Sequence, residues 1–328
     1  MAMSPRRLML TISAASLSVA ALGACAPSLI GGGSAGASVA RTSSAASVAA
    51  SAVSYPEKIV AANGTITIAA RPTAIVSLSP TATEMLYSIG AGSQVKAVDS
   101  YSDFPKKAPH TKLNAYQPNV EAIVAYRPDL VIVSGDTTGL TAQLAKFGIP
   151  TLSDPAATDL TQEYQQFTEL GQATDHVAQA KAEVASIKSK IAEIVKSTPK
   201  SKGATYYFEL EQDYYSVTSS TFIGQVLGLL GLKSIADTAS GSASSGGYPQ
   251  LSAEYIIKAN PDYIFLADTV CCGQTAKKVD QRAGWSTITA VKKNQIVGLN
   301  DDIASRWGPR VTILLQDVAN ALKEASKG

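Results

Sequence analysis

Residues 175–196 read DHVAQAKAEVASIKSKIAEIVK. Val177, Val184, Ile187, Ile191 and Ile194 recur at helical spacing while Lys, Glu and Gln fill the other faces, which predicts one amphipathic helix. Thr174 stands where a cap belongs, and Pro199 lies just past the end. At 1.5 Å per residue the stretch is a rod of about 33 Å. The same pattern also describes a long surface helix within one domain, so the flanking segments decide between the two.

On the N-terminal side, residues 58–60 and 66–68 flank Asn63-Gly64, a β-hairpin signal. Apolar runs at 74–78, 95–98, 130–133 and 150–152 read as buried strands. Helical segments alternate with them: one opened by Ser79-Pro80-Thr81, one capped by Asn119, then about 140–147 and 160–170. Beyond the rod the rhythm repeats, with strands at 204–210, 263–267 and 295–299, a helix begun at Thr221, and a closing helix at 311–325. Strand, helix, strand in this order implies parallel sheets with helices on both faces. The predicted fold is α/β: two doubly wound α/β lobes, residues 55–171 and 199–328, bridged by one long rigid helix at 172–198. In such sheets ligands sit beyond the carboxyl ends of the strands. That rule nominates Ser79, Tyr101, Tyr116 and Asp136 in the first lobe, and Tyr214, Tyr215, Tyr248, Cys271, Arg306 and Trp307 in the second. Tyrosine and Trp rings offer flat apolar faces with polar tips, and Arg306 or Arg310 suits a ligand carboxylate or phosphate.

The two halves share a unit. Residues 120–133 read VEAIVAYRPDLVIV and residues 253–266 read AEYIIKANPDYIFL. Glu121 aligns with Glu254, Pro128 with Pro261 and Asp129 with Asp262, each pair 133 positions apart (254 less 121). A carboxylate in a first helical turn is favoured by the helix dipole, which accounts for either Glu alone. Matched placement on both lobes fits either descent from one duplicated ancestor or paired docking contacts for a basic partner.

Composition narrows the function. Hydrophobic residues are 45% and charged residues 16%, enough for a sizeable core, and a net charge of +2 argues against nucleic acid as a partner. Tyrosine is frequent, with 13 against 6 Phe and 2 Trp, whereas the only two histidines are His110 and His176. So few histidines argue against a His-built metal site, and no metal site or cofactor is expected. They also argue against catalysis, and no nucleophile elbow, His dyad or cofactor loop survives its context. Cys271 and Cys272 are adjacent; a disulfide between them, two free thiols, or thiolates on a metal are the alternatives.

Arg6 and Arg7 precede a short apolar run ending Leu22-Gly23-Ala24-Cys25. This predicts a signal peptide at 1–24. The tetrapeptide resembles the bacterial lipoprotein box, which implies lipidation of Cys25. Residues 25–54 are then the lipidated Cys and a Gly/Ala/Ser linker.

Taken in order, SLSPTATEMLYSIGAG, DSYSDFP, NVEAIVAYRPDLVIV, LSAEYIIKANPDYIFLAD and a closing Gly-Pro-Arg resemble the substrate-binding proteins of ABC importers for cobalamin and ferric siderophores. The resemblance runs from about Tyr55 to the end. It implies the helical-backbone periplasmic-binding fold, no enzymatic activity, and delivery of a bound metal chelate to ABC permease subunits, from a lipoprotein on the outer face of the cytoplasmic membrane. It implies permease docking for Glu121 and Glu254 and ligand contact for Tyr101. It also implies ligand contact for Tyr116, which stands one residue closer to Glu121 than the family's aromatic does to its Glu. Haem and bare metal ions are alternative cargoes; the latter need several His. A surface enzyme or an adhesion protein are the alternatives outside this class.

Overall fold

The computed structural model describes residues 52–136, 138–201 and 203–327. The expected signal peptide, Cys25 and most of the linker lie outside the described residues.

The chain opens with the antiparallel hairpin β1 (Glu57–Ala61) and β2 (Gly64–Ile68). There follow β3 (Ile75–Leu78), α1 (Pro80–Ser88), β4 (Val95–Val98), α2 (Val120–Val124), β5 (Leu130–Val133), α3 (Leu140–Ala145), β6 (Thr151–Ser153) and α4 (Leu160–Thr174). Then comes the long α5 (Val177–Ser197). The second half runs β7 (Thr205–Glu209), α6 (Phe222–Gly228), β8 (Lys233–Ser234), α7 (Ala253–Ala259), β9 (Tyr263–Leu266), α8 (Ala276–Asp280), α9 (Thr289–Lys292), β10 (Ile296–Gly298), α10 (Asp301–Ser305) and α11 (Val311–Ala325).

The two halves have one topology. The first sheet is ordered β4-β3-β5-β6 and the second β8-β7-β9-β10, all parallel. In each, the first strand sits beside the second and third, so the switch points lie between β3 and β5 and between β7 and β9. The Pro-Asp pairs explain part of the repeat. Asp129 accepts from the backbone N–H groups of Thr73 (2.7 Å) and Ala74 (3.0 Å), pinning the entry to β3. Asp262 accepts from the N–H of Thr205 (2.8 Å), pinning the entry to β7. Arg127 and Asn260, immediately before the two prolines, both adopt φ 50°, and Asn260 is the left-handed C-cap of α7.

Strand alternation feeds two layers. Leu130 and Ile132 face the large core, while Val131 and Val133 face a smaller one with Ile123, Leu140 and Leu144. In the second half Tyr263 and Phe265 join the large core; Ile264 and Leu266 pack outward with Tyr207 and Trp285. The large core is continuous across both lobes. It takes in Phe167 and Leu170 of α4, Ile187, Ile191 and Ile194 of α5, and Leu314, Leu315 and Val318 of α11.

The long helix α5, expected to bridge the lobes, runs between the two sheets and is packed into this core. It packs against both α4 and α11. Its buried stripe is Ala180, Ile187, Ile191 and Ile194; Val177 is exposed and Val184 half-buried. Thr174 is not its cap. It ends α4, which runs longer than the apolar pattern predicts and stops at Asp175 with φ 62°. The residue before α5 is His176, whose side chain makes no capping bond. Gly171 permits the tight α4–α5 turn: a Cβ there would lie 2.6 Å from the Ala180 methyl.

Candidate functional site

The carboxyl ends of β3 and β5 lead into Ser79 and Ser134; those of β7 and β9 lead into Leu210 and Ala267, with Asp268 next. Ser79 is buried and caps α1 through the N–H of Ala82 (3.2 Å), which fixes the first turn at the strand end.

Tyr101 and Tyr116 meet edge to face with ring centroids 5.6 Å apart, 54% and 77% exposed. Loops separated in sequence thus present one aromatic pair to solvent. The Tyr101 loop is tied from within: Ser102 donates to buried Asp99, and Thr83 and Ser102 share a hydrogen bond (3.1 Å). Asp136 is spent differently. Its carboxylate accepts from the N–H groups of Leu140 (2.7 Å) and Thr141 (2.9 Å) and so caps α3. Burial alone would raise its pKa, but the bonds from Thr141 and Leu140 outweigh it and hold the group below its ordinary value.

In the second lobe, Tyr214 and Tyr215 leave β7 on a strained turn, with Tyr214 at φ 68°. The Tyr214 ring stacks on Trp285 at 5.9 Å, and the Arg282 guanidinium lies over both rings. Tyr214 therefore packs the lobe's interior. Tyr215 and Tyr248 are each 39% exposed, on neighbouring segments joined by the Tyr215–Gln250 bridge. Cys271 and Cys272 are joined by a disulfide between neighbours, their Cα atoms 3.8 Å apart. Their loop is held by Asp301, which accepts from the N–H groups of Val270 (3.0 Å) and Cys271 (2.7 Å).

Beneath this loop lies a charged group the sequence reading missed. Glu209, at the end of β7, is fully buried and takes both terminal nitrogens of Arg282. Asp268, equally buried, has no partner for either oxygen. Burial, then the neighbouring Glu209 charge, push its pKa from 3.8 to about 7.

Arg306 does not stand ready for a ligand carboxylate. Its guanidinium donates to Glu84 (3.0 Å), Asp103 (3.1 Å), Asp302 and the Tyr101 carbonyl (3.0 Å). Arg310 is committed as well: its Nε and Nη2 grip the two Glu84 oxygens at 2.7 and 2.6 Å, and its guanidinium lies 4.4 Å above Phe104. Trp307 is half-buried, and its indole N–H donates to Gln166 of α4 (2.8 Å). These bonds cross from the second lobe to the first. No local signal announces them, because Glu84 stands 222 and 226 positions from its partners. A lone acid in the apolar helix TATEMLYS was the available hint.

Glu121 and Glu254 occupy equivalent first turns of α2 and α7, both exposed. Bonds from its own backbone and from Ser252 hold the Glu254 carboxyl below its ordinary pKa. A hollow of about 910 Å³ lies elsewhere, between β10 and α11 and lined by Tyr263, Gln295, Asp317 and Asn320. It opens at the edge of the second sheet and away from the switch points, so we do not place ligand there. Among the described residues, no three His, Cys, Asp or Glu side chains converge to hold a metal ion. Nor, among them, is any helix long and apolar enough to cross a membrane.

Twin parallel sheets with matched switch points, joined by one helix, give the two-lobe fold of solute-binding proteins. The chain belongs to the periplasmic binding protein family, whose model matches residues 75–303. Within that family it is a substrate-binding protein of an ABC transporter. It is 30% identical over 272 residues to an uncharacterized ABC transporter substrate-binding lipoprotein of Bacillus subtilis, covering 80% of this chain and 83% of that one. It is 28% identical over 263 residues to a vitamin B12-binding protein of Pectobacterium atrosepticum, covering 77% and 89%. Among solved structures, a possible iron-binding periplasmic solute-binding protein of Staphylococcus epidermidis superposes with TM-score 0.66 at 28% identity, over 77% of this chain and 99% of that one.

Proposed function

We propose that the protein captures a metal chelate, a corrinoid or a ferric siderophore, between its lobes and passes it to an ABC permease without chemical change. It acts as a lipoprotein, exported by the segment 1–24 and anchored through Cys25 to the outer face of the cytoplasmic membrane. Glu121 and Glu254 dock the two lobes on basic residues of the permease. The observation that carries the reading is the Tyr101–Tyr116 pair: two exposed rings at the lobe junction, where Tyr101 is bonded to the opposite lobe. Such rings stack on a macrocycle or aromatic chelator and leave their hydroxyls for its polar edge. The vitamin B12-binding and lipoprotein relatives support the same cargo and tether.

Titration of the mature protein with cyanocobalamin, a ferric hydroxamate, a ferric catecholate and haem tests this. Trp307, half-buried at the junction, reports by fluorescence. Saturable quenching by a corrinoid or ferric siderophore is expected. A flat signal with all four, confirmed by calorimetry, overturns it.

A further inference from the structure

The two arginines that the sequence offered as ligand anchors face each other's partners instead. Glu84 is 2% exposed, Arg306 13% and Arg310 14% by side chain, so all three are largely withdrawn from water. Between them Arg306 and Arg310 give Glu84 three charge-assisted bonds, a fork on one side and a single donor on the other. The remaining Arg306 bonds reach the Tyr101 carbonyl and Asp103 across the junction and Asp302 of its own lobe, and Arg310 covers the Phe104 face. Every second-lobe group of this set that crosses the junction comes from one short segment, Arg306 to Arg310. Every first-lobe contact except Glu84 comes from the loop holding Tyr101, Asp103 and Phe104. Gly308 lies against the same helix as Glu84: a Cβ there would sit 3.5 Å from Thr81.

We propose that Arg306 and Arg310 with Glu84 form an inter-lobe clasp that fixes the Tyr101 loop and the width of the cleft, making the two arginines positioning residues of ligand capture. The Tyr101 loop has inner ties through Ser102 but belongs to no strand, and the opposite lobe adds the bonds to its Tyr101, Asp103 and Phe104. Arg306 is suited to this as lysine is not, because its planar fork serves a carbonyl and carboxylates at once. The ligand then meets a tyrosine already in place, and less ordering cost is charged to binding. The inference rests on the cleft reading only for its effect on affinity; the clasp itself exists without ligand.

The test therefore has a ligand-free arm. Hydrogen exchange is measured on wild type, Arg306→Gln, Arg306→Lys and Glu84→Gln. In the ligand-free protein, amides of residues 101–104 exchange about tenfold or more faster in Arg306→Gln while β3 and β5 are unchanged. Arg306→Lys restores thermal stability towards wild type but leaves the loop fast, which separates positioning from bulk stabilisation. Whichever chelate saturates wild type binds Arg306→Gln about tenfold or more weakly. Unchanged loop exchange in Arg306→Gln overturns the clasp, whatever the ligand does. Unchanged exchange with lost affinity assigns Arg306 to direct ligand contact. If no chelate binds wild type, the functional reading fails while the exchange arm still judges the clasp.

Discussion

Replacing Glu163 by Gln separates the cost of a buried acid from the rest of the fold. Glu163 lies on α4 with no exposed surface, and neither carboxyl oxygen has a hydrogen-bond partner. Burial pushes its pKa from 4.5 to about 9, since a carboxylate stripped of water and unpaired is strongly disfavoured. The folded chain therefore keeps this proton at pH values where the unfolded chain has released it. The stability this site contributes is complete below pH 4.5, falls as pH rises, and is gone once both states are ionised above about 9. Each pH unit inside that window costs about 1.4 kcal/mol, so at pH 7 the acid subtracts roughly 3 kcal/mol relative to pH 4.5. Gln is neutral throughout and close in shape to the protonated acid. Glu163→Gln is thus expected to match wild type at pH 4.5 and to exceed it by roughly 3 kcal/mol at pH 7. Urea denaturation of both proteins at the two pH values measures this, and subtracting wild type from variant cancels the other titrating groups. A difference that is the same at both pH values refutes the reasoning.

Three further outcomes are expected. Glu121→Ala combined with Glu254→Ala leaves chelate affinity intact and abolishes uptake; wild-type uptake in cells carrying the pair removes the docking role. Gly171→Ala places a methyl 2.6 Å from that of Ala180, and overpacking of about 1–3 kcal/mol outweighs the gain of about 1 kcal/mol in helix propensity. Its melting temperature should fall, and a rise contradicts the close α4–α5 contact. Tyr101→Ala weakens chelate binding about tenfold or more while Tyr101→Phe largely preserves it, because the ring supplies most of the contact; titration of the two variants checks the order.

Much of this molecule was legible because its signals are local. Apolar runs of four residues, caps such as Ser79, Asn119 and Thr221, and the Pro-Asp repeat mark elements within a few residues of themselves. Sequence reasoning placed β3, β5, β9 and α11 within a residue or so for that reason. The two-residue β8 carried no periodicity to read. The fate of candidate side chains was equally hidden, because it depends on partners far away in the chain. Tyr214 is taken up by Trp285, Arg306 and Arg310 by Glu84, and Trp307 by Gln166. A strand-end position identifies which residues lie near a cleft. It does not say which of them already have a partner. The extra length of α4 escaped for a related reason: its last turn is held by burial of Ala173 and Thr174 against the rest of the fold.

The most direct measurement is a crystal structure of the mature protein grown with the chelate that binds it best. The account predicts one chelate between the lobes, stacked on Tyr101 and reaching towards the loops after β7 and β9, with the Glu84–Arg306–Arg310 bonds intact. A chelate bound in the hollow beside β10 and α11, or on an outer face of either lobe, contradicts it.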